Sequence, residues 1–358
     1  MVSDLPLRQT AIVGTSSGGM TISHQAPVAE LQDNAIIVRT CAVSVNPVDT
    51  KMTGGYCTAD AIAGCDFAGT VINASSAAER GGMHVGQRVC GAILGMNSLD
   101  PAGGAFATYV RAPWSFVLRV PDSMSFESAA ALTTVGMTTG LALFKSLALP
   151  ATPRKPALKP LPVLVYGGST ASGTAAIQLL CAAGLTPIAT CSPANFDLVK
   201  KYGAVEVFDY RSPTCAADIK AYTKNGLRYA LDCITDPDSM KLCYAAIGRA
   251  GGRYTALDPF PEAVARTRKV VKADWVLGPV LLGKPIAWPP PHEREASEEM
   301  AEFGAEWTEV LQELIDTGRF REHPLMVLEG GLERVLEAMD IIKSAKISGK
   351  KIVVSLTK

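Results

Sequence analysis

The sequence is short of the residues that build metal centres and disulfide frameworks. Its 358 residues include only four histidines, and its nine cysteines are scattered singly, without the paired spacing of a zinc site or a disulfide network. An odd number of isolated cysteines is typical of reduced thiols inside a cell. The composition therefore predicts a cytoplasmic protein that binds no metal.

Excess charge and long apolar runs are also missing. Lysines and arginines balance aspartates and glutamates at 34 each, which argues against nucleic acid as a partner. No apolar run reaches the roughly 18 residues of a membrane span. The first ten residues contain Asp4 and Pro6 and no apolar stretch, so no secretory signal is expected there. With 48% apolar residues, the chain is long enough for two well-buried domains.

What the sequence does contain is a glycine-rich turn between a strand and a helix. The β-branched run Val163–Tyr166 enters Gly167 and Gly168, and apolar residues then recur at helical spacing from Gly173 onward. A helix start of this kind presents free N–H groups and a positive dipole end to a pyrophosphate. Because Thr170 stands where the dinucleotide fingerprint has its middle glycine, a purely structural turn remains the alternative.

The second strand of this unit favours NADP(H) over NAD. It ends about twenty residues on, where an NAD enzyme carries Asp or Glu for the ribose hydroxyls. The chain has Cys191-Ser-Pro-Ala-Asn195 instead. Hydroxyl and amide groups bond to a 2′-phosphate that a carboxylate would repel, and Lys200, Tyr210 and Arg211 are further candidates for that contact.

The remaining pattern predicts an α/β protein of two parts. Short strands joined by glycine-rich turns precede residue 132 and indicate a partly open β-barrel. Alternating strands and helices follow, which indicates a doubly wound parallel sheet. A closing strand over 351–356 is expected to rejoin the first part. The predicted boundaries are 1–132 with 318–358, and 133–317.

Several stretches carry a resemblance to a known family. They include Asn46-Pro-Val-Asp49, Gly64-Cys-Asp66, Tyr166-Gly-Gly-Ser-Thr-Ala171, Phe208-Asp-Tyr-Arg211 and Ser348-Gly-Lys-Lys-Ile-Val353. Together they resemble the medium-chain dehydrogenase/reductase superfamily, with a GroES-like barrel domain and a Rossmann cofactor domain. Within it, the chain is most similar to the trans-acting enoyl reductases of fungal polyketide synthases. The zinc alcohol dehydrogenases of the superfamily have Gly-His-Glu at 64–66, where this chain has Gly64-Cys65-Asp66.

The resemblance implies an NADPH-dependent reduction of an α,β-unsaturated acyl thioester. Lys51 and Thr138 are the polar candidates for catalysis, with a surface lysine and a helix-internal threonine as the alternatives. The implied cofactor contacts are Val48, Asp49, Thr50, Lys51, Ser169, Thr170, Ala171, Ser172, Ser192, Pro193, Ala194, Asn195, Tyr210, Leu257, Asp258 and Lys350. The implied lining of the acyl site is Thr138, Thr139, Gly140, Leu141, Ala142, Leu143, Phe144, Lys145, Val276, Leu277, Gly278, Pro279 and Val280.

The resemblance also implies partners. The substrate is expected on the acyl carrier protein of a polyketide synthase or a synthase–peptide synthetase hybrid. Such carriers are usually acidic, so Arg154, Lys155 and Lys159 are one candidate docking patch, with a solvated linker as the alternative. Pro279, Pro285 and the Pro289–Pro291 run remove N–H donors where relatives pair edge strands into dimers, so a monomer is expected.

Two other functions remain open at this stage. One is a stand-alone quinone or enone reductase of the same fold. The other is a cofactor-fold protein repurposed to shape a polyketide intermediate.

Overall fold

A computed structural model describes residues 5–345 and 347–357, so Met1–Asp4 of the stretch examined for a signal sequence lie outside it. The chain forms two compact units. The first comprises residues 1–134, 279–316 and 324–358, and the second comprises 135–278 and 317–323. Residues 279–316, which the sequence pattern assigned to the cofactor domain, belong instead to the first unit.

The first unit is built mainly of antiparallel strands. Its strands are β1 (Arg8–Gly14), β2 (Met20–Pro27), β3 (Ala35–Ser44), β4 (Asp66–Ala74), β5 (Arg88–Ala92), β6 (Tyr109–Pro113), β7 (Val117–Arg119), β14 (Leu325–Glu329) and β15 (Lys351–Ser355). The strands β14-β15-β3-β4-β5-β7 form one sheet, β6 also pairs with β3, and β1 and β2 form a separate ribbon. The closing strand β15 joins β3 antiparallel, as predicted.

Two parts of this unit differ from the sequence pattern. Residues 103–110 have a strand-like pattern, but regular pairing begins only at Tyr109, because the preceding residues bond to the irregular segment 62–64. Gly104 permits that contact, since a side chain there would lie 2.3 Å from the Ile62 carbonyl oxygen. Strand β14 had no predicted counterpart.

The helices of the first unit are short, apart from two near its C-terminal end. They are α1 (Pro47–Lys51), α2 (Ser76–Arg80), α3 (Phe126–Ala130), α10 (Glu298–Asp316) and α11 (Glu333–Lys343). Helix α10 buries one face that includes Trp307 and Leu311. Its Gln312 side chain bonds to both the N–H and the carbonyl of Arg119 at the end of β7, at 2.7 and 3.1 Å. This attachment explains why α10 belongs to the first unit despite following the cofactor sheet in sequence.

The second unit contains a six-stranded parallel sheet. Its strands are β8 (Pro162–Tyr166), β9 (Thr186–Cys191), β10 (Glu206–Asp209), β11 (Tyr229–Asp232), β12 (Gly252–Ala256) and β13 (Val271–Trp275), arranged β10-β9-β8-β11-β12-β13. This order reverses next to β8, as in a doubly wound dinucleotide-binding sheet.

Helices cover this sheet, and one of them is irregular. They are α4 (Thr133–Gly140), which starts in the first unit, α5 (Ala171–Ala182), α6 (Phe196–Lys201), α7 (Cys215–Tyr222), α8 (Pro237–Ala246) and α9 (Glu262–Ala265). After α4 the chain continues as a π-helical turn over Leu141–Ser146, where the Leu147 N–H bonds to the Ala142 carbonyl at 2.8 Å. Such wider turns often mark functional positions.

Candidate active site

The glycine-rich turn lies at the carboxyl end of β8, as its sequence predicted. Gly167 has a φ of 78°, a conformation that glycine adopts without strain. A Cβ on Gly173 would lie 2.3 Å from the Gly167 carbonyl oxygen, so the helix start approaches the turn too closely for any side chain. The structure therefore confirms the predicted strand–turn–helix geometry, which suits a pyrophosphate at the helix start.

One predicted cofactor contact in this turn has a structural task. The Thr170 hydroxyl donates to the Gly167 carbonyl at 2.8 Å and accepts from the Gly173 N–H at 2.9 Å. This is an N-cap of α5. The hydroxyl that replaces the expected middle glycine thus stabilises the helix start, while Ser169, Ala171 and Ser172 are half-buried beside it.

The predicted ribose contacts follow the next two strands of the sheet. Ser192 to Asn195 come directly after β9, and the Asn195 amide donates to the Ser192 hydroxyl at 3.3 Å. Tyr210 follows β10, is 39% exposed, and has the Arg211 guanidinium 5.4 Å from its ring centre. Because β10, β9 and β8 are parallel neighbours, these turns share one edge of the sheet.

A third turn at this edge is organised by a residue that the sequence pattern did not single out. Asp232, at the end of β11, accepts from the N–H groups of Ile234 and Thr235 at 2.9 Å each. Its second oxygen accepts from the hydroxyls of Ser239 and Tyr254 at 2.6 and 2.8 Å. Burial raises the pKa of this carboxyl, and its hydrogen bonds oppose the shift.

This turn connects to the predicted contacts Leu257 and Asp258. The Leu257 N–H donates to the Thr235 hydroxyl at 3.3 Å, directly after β12. Leu257 and Asp258 are half-buried at the same carboxyl edge. A buried acidic residue that ends an apolar strand, as Asp232 does, is the sequence signal that could have identified the organising residue.

The two predicted stretches of the acyl site meet within the second unit. Thr138 lies on α4, and its hydroxyl oxygen is 2.6 Å from the position that a Cβ on Gly278 would occupy. Thr138 is half-buried, whereas the Thr139 hydroxyl is buried and donates to the Val135 carbonyl at 2.6 Å. Thr139 is therefore engaged with its own helix. Pro279 and Val280 lie in the 3-10 turn Gly278–Leu282 and belong to the first unit.

In the first unit, the predicted site loop is helix α1 with its cap. Asn46 and Asp49 form a capping box, in which the Asn46 N–H donates to Asp49 Oδ2 at 2.7 Å. Asp49 is 1% exposed, so the structure argues against its predicted role as a direct cofactor contact. Val48 and Thr50 are half-buried, and Lys51 at the end of the helix is exposed.

A buried polar network supports this helix. Asp66 Oδ2 accepts from the Ser44 hydroxyl and the Asn46 amide at 2.8 Å each. Lys351 Nζ donates to Asn46 Oδ1 at 2.6 Å and lies 3.7 Å from Asp66 Oδ2. The resemblance implies Lys350 as a cofactor contact, and Lys350 is exposed, whereas its neighbour Lys351 lies within this buried network. A lysine at the start of the apolar run Ile352–Val354 is the signal that could have found it.

The same network surrounds Cys65, at the position of a zinc ligand in the zinc dehydrogenases. Burial, and then the charge of Asp49, raise the pKa of the Cys65 thiol far above its ordinary value. In the described part of the chain, no three His, Cys, Asp or Glu side chains are grouped so that they could hold a metal ion. The residues present therefore do not fit a catalytic zinc.

Fold and site together define a nicotinamide-dependent oxidoreductase of two parts. Sequence profiles of two families match, the alcohol dehydrogenase GroES-like domain over residues 32–122 and the zinc-binding dehydrogenase over 171–257. The crystal structure of CurK enoyl reductase superposes with a TM-score of 0.77 at 18% identity, covering 98% of this chain and all of the other. These matches confirm the predicted fold class.

Two curated relatives are much closer in sequence. The trans-enoyl reductase fsa3 of Fusarium sp. (strain FN080326) is 57% identical over 98% of this chain and 99% of its own length. The trans-enoyl reductase phm4 of Pyrenochaetopsis sp. is 55% identical over 99% of this chain and 98% of its own length. The chain belongs to the trans-enoyl reductase family of the medium-chain dehydrogenase/reductase superfamily. This confirms the predicted enzyme class and a pyridine-nucleotide cofactor.

None of the described helices has the length and apolarity to cross a membrane.

Proposed function

We propose that this protein is a trans-acting enoyl reductase that uses NADPH to reduce the α,β-double bond of an acyl thioester carried by a fungal polyketide synthase. The observation that carries the proposal is the full-length identity of 55–57% to enzymes named trans-enoyl reductases. The carboxyl edge of the cofactor sheet supports it, because a capped helix start and three polar turns lie side by side there.

The preference for NADPH rests on the turn after β9. Ser192 and Asn195 offer hydroxyl and amide groups, and no carboxylate occurs between Cys191 and Phe196. The neighbouring turn adds the exposed Arg211 guanidinium. A 2′-phosphate thus meets donors and a positive charge where an NAD enzyme has an acid.

In this reaction the protein must bind and orient the cofactor and the thioester, and it must donate hydrogen bonds to the thioester oxygen. When bound, the reduced nicotinamide would supply the hydride for the β-carbon, which would leave negative charge on the thioester oxygen until a proton adds at the α-carbon. Lys51 and Thr138 are our candidates for donors to that oxygen. A donor aimed at a developing oxyanion lowers the barrier by a few kcal/mol.

The absence of a fitting metal site gives these donors their importance. Since the residues around Cys65 do not fit a zinc ion, polarisation of the thioester falls to hydrogen bonds from the protein. All nine cysteines are free thiols, which supports the proposed location in the reducing cytoplasm.

We also propose a monomer. Strand β13 is an open edge of the cofactor sheet, and Pro279 and Pro285 follow it without N–H groups to extend the pairing. Light scattering after size exclusion should give one chain mass of 37.7 kDa. Twice that mass would contradict the proposal.

The decisive assay follows NADPH oxidation with crotonyl and 2-methylbutenoyl thioesters of pantetheine, beside NADH and a simple quinone. Turnover of the thioesters with NADPH, and little with NADH, supports the proposal. Fast quinone reduction with slow thioester reduction would identify a stand-alone quinone reductase instead. If the protein binds NADPH tightly but oxidises it with no substrate, including an acyl chain carried by the synthase, the result would favour a cofactor-fold protein repurposed to shape a polyketide intermediate.

A further inference from the structure

The chain has no formal net charge, but its charges are unevenly distributed between its two units. The second unit contains 19 lysines and arginines against 11 aspartates and glutamates, a formal charge of +8. The first unit holds the remaining 15 basic and 23 acidic residues, a formal charge of −8. Such asymmetry indicates that electrostatic interactions are localised on particular surfaces.

In the second unit, the basic residues concentrate at the amino end of the sheet. The chain segments that lead into the four adjacent strands β8, β11, β12 and β13 contain nine lysines and arginines and no acidic residue. These residues are Arg154, Lys155, Lys159, Lys224, Arg228, Arg249, Arg266, Arg268 and Lys269. The cofactor turns described above lie at the opposite, carboxyl edge.

Backbone contacts show that these segments are neighbours. Tyr229 at the start of β11 pairs with Val163 of β8 and with Arg253 of β12. The Gly248 N–H donates to the Leu227 carbonyl at 2.9 Å, and the Gly252 N–H donates to the Val270 carbonyl at 3.2 Å. The chain segments that carry the basic residues therefore lie next to one another along this edge.

One of the nine has an evident structural task. The Arg268 guanidinium donates to the Tyr244 carbonyl and, at 2.9 and 2.8 Å, to those of Ile247 and Gly248. It thereby neutralises the negative end of α8.

All eight of the others are exposed, and the side chains of seven have no hydrogen-bond or ion-pair partner among residues 5–345 and 347–357. We call these seven the basic edge: Lys155, Lys159, Lys224, Arg228, Arg249, Arg266 and Lys269. Helix capping does not account for them as it does for Arg268.

Exposed apolar side chains lie among these cations. Leu158 is 100% exposed between Pro156 and Pro160, which restrict the backbone of its loop. Val270, next to Lys269, is 57% exposed. A mixture of apolar contacts and unpaired cations is what an acidic protein surface recognises.

We propose that the basic edge docks an acidic surface of the partner polyketide synthase. The proposal rests on the function proposed above, since that function requires a partner. A protein bound at the amino edge leaves the carboxyl edge, with the cofactor turns, uncovered. The contact is therefore a tether to the body of the synthase. This role differs from the prediction that Arg154, Lys155 and Lys159 receive the carrier that delivers the thioester.

The test compares two triple charge reversals of equal size. The first is Lys155→Glu/Lys159→Glu/Arg228→Glu on the basic edge. The control is Arg39→Glu/Arg80→Glu/Lys343→Glu, three exposed cations of the first unit. Each protein is assayed for NADPH oxidation with crotonyl-pantetheine and with the purified synthase of the same biosynthetic gene set, loaded on its carrier domain with an enoyl chain.

The basic-edge variant should raise the KM for the loaded synthase about tenfold with kcat unchanged, because charges at an interface mainly govern association. The KM of the wild type should rise with salt, and that of the variant should not. Crotonyl-pantetheine turnover should be the same in all three proteins. An unchanged KM for the synthase, or an equal loss in the control variant, would overturn the proposal.

Two further measurements separate the possible failures. If the wild type reduces no thioester, the proposed function fails, and sedimentation of the wild type and both variants with the synthase still decides whether the basic edge binds it. Vesicles with and without phosphatidylserine test a lipid partner. Vesicle binding that only the basic-edge variant loses, with synthase affinity unchanged, would replace the protein partner by an anionic membrane.

Discussion

Lys351 Nζ donates to Asn46 Oδ1 at 2.6 Å, across 305 positions of the chain. The contact joins the closing strand β15 to the cap of helix α1, which ends at the candidate catalytic residue Lys51. The lysine side chain is 4% exposed and the nearby Asp66 side chain is fully buried. The position of the site helix thus depends on residues from both ends of the chain.

Replacing this lysine should destabilise the protein strongly. Lys351→Met leaves Asp66 buried with its negative charge no longer compensated, which costs about 3–5 kcal/mol when one partner of a buried pair is removed. Urea unfolding followed by circular dichroism measures the loss. Lys350→Met is the matched control, because that neighbour is exposed and should change the free energy of unfolding by less than about 0.5 kcal/mol. Equal stability of the two variants would contradict the importance of the network.

The buried Asp49 should make stability depend on pH. Burial, with the charge of Asp66, raises the pKa of Asp49 to about 7, and the ordinary value is 3.8. Between these two values the unfolded chain has released the proton that the folded chain retains. The free energy of unfolding contributed by this group therefore falls as pH rises from about 4 to 7, by at most about 1.4 kcal/mol per pH unit, and is constant above that range.

Asp49→Asn should remove this dependence. The amide oxygen still accepts the Asn46 N–H, so the cap of α1 is retained. Denaturant unfolding at several pH values should show that the variant gains stability relative to the wild type as pH rises toward 7. Asp122→Asn, at an exposed loop position, should leave the wild-type curve unchanged. Parallel curves for the wild type and Asp49→Asn would show that Asp49 does not titrate in this range.

Substitutions at the adjacent residues Thr138 and Thr139 should affect catalysis and helix stability, respectively. Thr138→Val should lower kcat for crotonyl-pantetheine by up to about a hundredfold, with the KM for NADPH unchanged, if its hydroxyl donates to the thioester oxygen. Thr139→Val removes a hydroxyl that bonds only within α4, so it should reduce stability by about 1 kcal/mol and leave kcat near the wild-type value. The same kcat in both variants would remove Thr138 from the mechanism.

The turn after β9 should determine which nicotinamide cofactor is used. Asn195→Asp introduces a negative charge beside Ser192, where a 2′-phosphate is expected. It should raise the KM for NADPH at least about tenfold while changing the KM for NADH little, because only the phosphorylated cofactor meets like charge. The same substitution at Asn225, at the amino edge of the sheet, is the control and should affect neither value. Equal effects on both cofactors would place the 2′-position elsewhere.

Local patterns in the sequence predicted much of this molecule. The glycines at 167, 168 and 173, the alternation of strands and helices, and the polar ends of strands β9 and β10 all act over short distances. Local backbone preferences and burial patterns determine them. The cofactor edge of the second unit could therefore be recognised from residues near one another in the chain.

The errors occur where distant segments meet. Residues 279–316 read as part of the cofactor domain, but the bonds of Gln312 with Arg119 place them in the first unit. Asp49 was implied as a cofactor contact, and only the structure shows that its side chain is buried. The place of Lys351 in the buried network was not predicted, because alternation along β15 alone does not reveal which side chain meets Asn46.

The sequence by itself determined the fold class, the dinucleotide turn and the family, because each follows from local spacing or from matches along the whole chain. Only the tertiary structure decided that Asn46, Asp66 and Lys351 form one buried network and that seven scattered cations lie along one edge. Hydrogen bonds and electrostatic interactions depend on distances in space. Strand pairing brings together residues that are far apart in the sequence, so the sequence alone does not reveal these contacts.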